Sequence, residues 1–197
     1  MELRLPAPCL IVLVGPSSSG KSTWAEQTFH ATEIVSSDFL RGMVGVGEDD
    51  QRASTAAFSI LEQVVRERIA RKLTTVIDTL GYHQESRQRW IGLAHDAGLP
   101  AFAIVFDTPA PEVELRNSTR STSIPKSVLS KQLSRFRAVR AELDEDGFDQ
   151  IHVEQQVALV APQIARSSQG LDAAGGGPAT GHSFGLMINR FDWGGDR

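Results

Sequence analysis

The chain is short of several things, and each shortage removes a class of protein. It has one cysteine in 197 residues, so neither an intramolecular disulfide nor a cysteine zinc site can be built from it. Cys9 lies in an apolar run, where a small buried thiol is the ordinary reading, and a chain without disulfides points to a reducing compartment. Aromatic residues make up 7%, with a single tyrosine, which leaves no evident row of rings for stacking bases. There is no excess of positive charge: 20 Lys+Arg against 24 Asp+Glu give a net charge of −4. Contact with nucleic acid would therefore need a local basic patch. Long apolar runs are missing too. The longest early one, Pro8 to Val14, falls far short of the ~20 residues of a membrane helix and leads into a motif instead of a cleavage site. The expectation is a cytoplasmic protein with no membrane partner.

What is present is a composition of 41% hydrophobic and 22% charged residues, enough for one buried core. Residues 9–14 form a short, β-branched, non-alternating run, the pattern of a strand covered on both faces of a parallel sheet. Similar runs stand at 33–36, 74–78 and 101–106, with a weaker one at 150–153. Helical spacing lies between them. Ala57, Leu61, Val64, Val65 and Ile69 share one face of a helix that ends on Arg71 and Lys72, cations suited to the negative end of its dipole. A second helix is predicted from about Gln84 to Ala97, stopped by Gly98 and Pro100. This alternation predicts an α/β fold with an open, mostly parallel sheet flanked by helices.

The segment from Gly15 to Thr23 reads Gly15-Pro16-Ser17-Ser18-Ser19-Gly20-Lys21-Ser22-Thr23, a full match to G-x-x-x-x-G-K-[ST] between a buried strand and a helix. In such a loop successive backbone N–H groups point inward at a phosphate and the following helix presents its positive end. Lys21 reaches the β- and γ-phosphates, and the Ser22 hydroxyl is a Mg²⁺ ligand. The loop implies ATP or another nucleoside triphosphate together with Mg²⁺.

Further motifs must decide the fate of the γ-phosphate. Asp38 and Arg41 follow the second strand, three residues apart on one helical face. They offer a carboxylate to take an alcohol proton and a guanidinium to hold an incoming phosphate. The plainer alternative is Asp38 as a helix N-cap and Arg41 as a solvated charge. Asp78 ends an apolar strand and is placed to hold Mg²⁺ indirectly or to orient the substrate, unless it is merely a turn residue. Segment 112–142 carries seven basic residues (Arg116, Arg120, Lys126, Lys131, Arg135, Arg137, Arg140) against three acidic ones (Glu112, Glu114, Glu142), a local charge of +4. Arg116 and Arg120, four apart, would close over a triphosphate from one helix face. Pro125 breaks the segment. Val128, Leu129, Leu133 and Phe136 then anchor a second helix, which makes a helical lid whose Lys126, Arg137 and Arg140 read as solvated charge. The five histidines, His30, His83, His95, His152 and His182, show no metal-ligand spacing.

Taken in order, Gly15 to Ser22, Ser37-Asp38-x-x-Arg41, Asp78-Thr79, Arg116-Asn117-x-x-Arg120, and Ile124-Pro125-x-x-Val128 with Gln132 resemble the P-loop phosphotransferases that include bacterial and phage 5′-hydroxyl polynucleotide kinases. The likeness covers roughly residues 9–155. It implies that Lys21 and Ser22 bind ATP and Mg²⁺ and that Asp38 is the general base for the 5′-hydroxyl. It also implies that Arg41 contacts the acceptor's phosphate and that Arg116 and Arg120 clamp the donor phosphates. Relatives often carry an asparagine soon after the Asp-Thr strand end, where this chain has Leu80-Gly81-Tyr82-His83.

The expected function is transfer of the γ-phosphate of ATP to a polynucleotide 5′-OH end. The alternatives are a kinase of a small alcohol, such as a sugar, nucleoside or antibiotic, and a nucleotide-binding regulatory module of a fused or downstream oxidoreductase. The expected domain plan is a P-loop kinase domain at 1–168, a Gly-rich linker at 169–181, and a C-terminal arm or truncated second domain at 182–197. Phe184-Gly185-Leu186 followed by Phe191-Asp192-Trp193 resembles the opening strand of luciferase-like, F420-dependent oxidoreductases.

Overall fold

The computed structural model describes residues 2, 3, 5–120, 122–154, 158 and 159, all within the unit Met1–Ile164. The linker read at 169–181, the arm read at 182–197 and His182 lie outside the described residues.

The chain starts with β1 (Glu2–Leu3) and then forms β2 (Leu10–Val14), the P-loop, α1 (Lys21–Thr28), β3 (Ile34–Ser36) and α2 (Ser37–Val44). It continues through α3 (Ser54–Ala70), β4 (Thr75–Asp78), α4 (Gln84–Asp96) and β5 (Ala101–Val105). The last elements are α5 (Ala110–Thr119), α6 (Lys126–Glu142), β6 (Gln150–Val153) and β7 (Ala158–Leu159). Five strands form one sheet in the order β3-β4-β2-β5-β6, with every pairing parallel. β1 and β7 form a separate two-stranded parallel pair.

Burial explains the apolar runs. Every residue of β2, β4 and β5 is buried, because helices cover both faces of a parallel sheet. Leu10, Val12 and Val14 face one cluster with Leu61, Val65, Trp90, Phe136 and Val139, which belong to α3, α4 and α6. Cys9, Ile11 and Leu13 face the other, with Ala25 and Phe29 at α1 and Phe102, Ile104 and Phe106 at β5. Burial raises the Cys9 thiol to about 12, helped by the nearby charge of Glu33, so this cysteine is an inert packing residue. The edge strand β6 is exposed or only half-buried along its length, which is why its run in the sequence is weaker.

The strand order places the site. The chain runs from the central strand β2 to β3 and β4 on one side of it and then crosses to β5 and β6 on the other, and open α/β sheets bind ligands at the carboxyl ends of strands around such a reversal. The register sets Ser36 opposite Asp78 and carries β2 and β5 in step to Val14 and Val105. The loops after β2, β3 and β4 therefore leave the sheet along one edge.

Two local expectations are corrected. Asp38 is not a helix cap: α2 begins a residue earlier, and Ser36 is its N-cap, accepting from the Phe39 N–H. In α6 the buried residues are Leu129, Phe136 and Val139, whereas Val128 is exposed. Its position in the first turn of α6 sets it on the wall of a cleft, off the core face.

Candidate active site

The phosphate loop is shaped by backbone conformation. Gly20, the residue before α1, has φ +104°, a conformation that side-chain-bearing residues rarely adopt. No side chain caps α1, so the first N–H groups of the helix stay available to an anion. Lys21 is buried and donates from Nζ to the carbonyls of Gly15 at 2.9 Å and Pro16 at 2.7 Å. Burial lowers its ammonium to about 8, against the opposing attraction of Asp78 and Asp38. Ser19 Oγ is buried and has no hydrogen-bond partner among the described residues, a loose polar end inside a loop of this type.

Ser22 Oγ donates to Asp78 Oδ2 at 2.8 Å, joining the loop to the end of β4. Asp78 is buried, and its carboxyl is pushed above the usual range by desolvation, against the pull of Lys21 and the Ser22 hydrogen bond. These two adjacent oxygens fit Mg²⁺, which takes one or two protein oxygens and completes its shell with phosphate and water. Among the described residues no cluster of three His, Cys, Asp or Glu side chains could hold a metal without a ligand.

The lid residues reach the loop by different routes. Arg116 Nη1 donates to the Ser19 carbonyl at 3.0 Å, and its other amine meets Glu112 one turn earlier at 2.5 Å. Thr108 donates to the same carbonyl at 3.0 Å. Arg120 does not share the helix with Arg116: it is the C-cap of α5 in extended conformation, and its Nη1 lies 3.5 Å from Ser18 Oγ. Both arginines still point at the loop, because the chain bends back at this residue. From α6, Gln132 accepts the Ser17 N–H at 3.0 Å. Asn117 joins the two lid helices, since its amide both donates to and accepts from the backbone of Ile124, at 2.9 and 3.0 Å. Of the cations read as solvated, Arg140 is paired with Asp107.

Across the cleft stands the Asp38–Arg41 pair. The two side chains are joined by a short ion pair, and Arg41 Nε donates to the Glu48 carbonyl at 2.8 Å. Arg41 is 11% exposed and Asp38 54%, so Arg41 is not a solvated charge: it holds a carboxylate that itself faces solvent. Asp38 is near enough for its charge to act on both Lys21 and Asp78. The cleft between these groups measures about 2030 Å³.

Sequence reasoning missed Thr108 and the roles of Gln132 and Asn117. It also missed Glu48, whose backbone does the work, so no residue-type signal exists there to find. Among the described histidines, His83 lines the cleft. His30 caps a short turn through Nδ1, and His95 Nε2 lies 3.0 Å from Asp149.

A family model described as an AAA domain matches residues 10–143, the span from the central strand to the end of the lid. The chain belongs to this AAA domain family. Among solved structures, the family member described here is similar to a chain of the Pnkp1/Rnl/Hen1 RNA repair complex, with TM-score 0.58 and 24% identity over 68% of this chain. It spans 46% of that longer chain. It is also similar to the PezAT toxin–antitoxin system of Streptococcus pneumoniae, with TM-score 0.55 and 14% identity over 77% of this chain and 69% of that one. The third likeness is to Chaetomium thermophilum Kti12 in complex with ADP-AlF3, with TM-score 0.51 and 18% identity over 77% and 88%. No curated protein matches the sequence significantly. At these identities the shared feature is the fold, an open parallel α/β sheet of the P-loop kinase type.

Proposed function

We propose that this protein is an ATP-dependent kinase that phosphorylates the 5′-hydroxyl end of a polynucleotide. The observation that carries the reading is Asp38: a solvent-facing carboxylate held by Arg41 on the wall of the phosphate cleft, within electrostatic reach of Lys21 and Asp78. A P-loop that only binds or slowly hydrolyses nucleotide has no need of a positioned base there.

The proposed reaction is an in-line displacement. The acceptor oxygen forms its bond to the γ-phosphorus as the bond from that phosphorus to the bridging oxygen breaks. ADP leaves, and the hydroxyl proton passes to a carboxylate oxygen of Asp38. Lys21, Arg116 and Arg120 offset charge on the moving phosphoryl group. Ser22 and Asp78 would hold Mg²⁺, which would supply positive charge against the phosphates of the nucleotide. Arg41 keeps Asp38 oriented, and its remaining N–H groups are left for a phosphate of the acceptor.

A polynucleotide is favoured over a small alcohol by charge. Arg41 lines the cleft together with Arg116, Arg120 and Arg135 of the lid, cations suited to the phosphates that flank a polynucleotide end. The likeness to a chain of an RNA repair complex supports the same choice.

The decisive experiment supplies γ-labelled ATP with 5′-OH DNA, 5′-OH RNA and a panel of sugars, nucleosides and aminoglycosides. The expected result is label on an oligonucleotide end. Label only on a small alcohol, or slow release of phosphate with no labelled acceptor, overturns the polynucleotide assignment.

A further inference from the structure

Arg87, on α4, is a fully buried cation with no place in the chemistry above. Removing a guanidinium from water is costly unless it is paired and hydrogen-bonded, so its partners are informative. Nε donates to Asp146 Oδ2 at 2.5 Å, and Nη1 donates to the Gly81 carbonyl at 2.7 Å. Nη2 lies 3.7 Å from Glu142. The second oxygen of Asp146, itself fully buried, accepts from Gln84 at 3.0 Å.

These partners belong to two separate parts of the site. Gly81 closes the turn that leaves β4 at Asp78. In that turn the Leu80 carbonyl accepts the Gly15 N–H at 3.1 Å, and the Gly81 N–H donates to Thr79 Oγ1 at 3.0 Å. Gly81 has φ +69°, and a Cβ there would come within 2.7 Å of the Leu13 carbonyl. The turn is therefore pressed against the P-loop strand with no side chain of its own at the bend, and its outer carbonyl is held by Arg87. Glu142 is the last residue of α6, and Asp146 follows the turn at its end. Gln132, near the middle of the same helix, meets the P-loop at Ser17.

We propose that Arg87 is a positioning residue: its planar fork ties the turn behind Asp78 to the foot of lid helix α6, so that the Ser22–Asp78 oxygens and the lid keep one geometry. This rests on the nucleotide-binding, phosphoryl-transfer reading of the site and not on the identity of the acceptor. The fork is the essential element, because Asp146 and Gly81 are met by two different nitrogens held in one plane, an arrangement that the single ammonium of lysine on its flexible stem does not reproduce.

The test uses Arg87→Lys and the double variant Arg87→Met/Asp146→Leu in the full chain. The double variant removes the buried pair together, an exchange that commonly preserves folding. Mg²⁺-dependent ATP binding is followed by calorimetry at increasing Mg²⁺, alongside thermal melting. In both variants the Mg²⁺ concentration for half-saturation of ATP binding should rise about tenfold, the scale of one lost hydrogen bond to a charged group. KM for Mg·ATP should rise with it, by more than kcat falls. A purely structural Arg87 would lower the melting temperature and leave the Mg²⁺ titration of the folded protein unchanged, which overturns the assignment. Loss of folding in both variants, with an unaltered Mg²⁺ titration in the milder Gln84→Leu protein, overturns it too. Because the readout is nucleotide binding, an absence of labelled oligonucleotide would sink the polynucleotide reading alone.

Discussion

The two walls of the cleft are built differently. On the donor side, the P-loop, Ser22, Asp78, Arg116 and Gln132 are joined by hydrogen bonds that run between α1, β4, α5 and α6, and Lys21 and Asp78 are buried. On the acceptor side, Asp38 and Arg41 sit on one short helix and bond chiefly to each other and to the backbone at Glu48. The same helix shows Phe39, Met43 and Val44 to solvent. A wall held from several elements keeps its shape under substitution in any one of them, and this suits a donor common to many kinases. A wall carried by one helix can be altered locally, and under the proposed function this is where acceptor choice would be set.

That contrast can be broken most severely on the donor side. Lys21→Ala should lower both ATP binding and phosphoryl transfer, with transfer falling about 10³-fold or more, as read by nucleotide titration and label transfer. Asp38→Ala should separate the walls: transfer falls about 10²- to 10⁴-fold, while the ATP dissociation constant moves less than about twofold. Equal loss of ATP binding in Asp38→Ala would erase the distinction between the two sides.

A subtler probe is pH. Folded, nucleotide-free Lys21 titrates near 8, depressed by burial from 10.5. Between those values the unfolded chain holds the extra proton, so this group's contribution to stability rises with pH across the window, and its full penalty applies below about 8. Phosphate favours the ammonium, so ATP binding well above pH 8 should take up a proton and weaken as pH rises. Calorimetry in buffers of different ionisation enthalpy should show that uptake above pH 8 and lose it below. The smallest effect is expected at the lid hinge. Asn117→Ala removes two hydrogen bonds to Ile124, costing about 1–3 kcal/mol and lowering the melting temperature by several degrees. KM for ATP should rise modestly as the two lid helices come apart.

Much of the donor wall was legible because its chemistry is local. Gly15 to Ser22 must be contiguous for one loop to wrap one phosphate, and β2, β4 and β5 read clearly because burial on both faces leaves unbroken apolar runs. Edge strand β6 was fainter for the opposite reason. Asp38 and Arg41 were legible as a pair through helical spacing, but their unequal exposure was not. Arg120 was read onto a helix that in fact ends one residue before it, since the Asn117–Ile124 staple and the bend it stabilises depend on residues seven apart. Arg87 carried no signal at all: within a helix rich in charge it looks like any solvated arginine.

The sequence by itself determined the phosphate loop, the helix–strand alternation and the candidate acid and cations, because each depends on neighbours within a few positions. Tertiary structure alone decided that Ser22 meets Asp78 across 56 positions, that Gln132 reaches Ser17 across 115, and that Arg87 is buried between Gly81 and Asp146. Strand order and helix docking set those contacts, and a hydrogen bond extends about 3 Å in space whatever the separation along the chain.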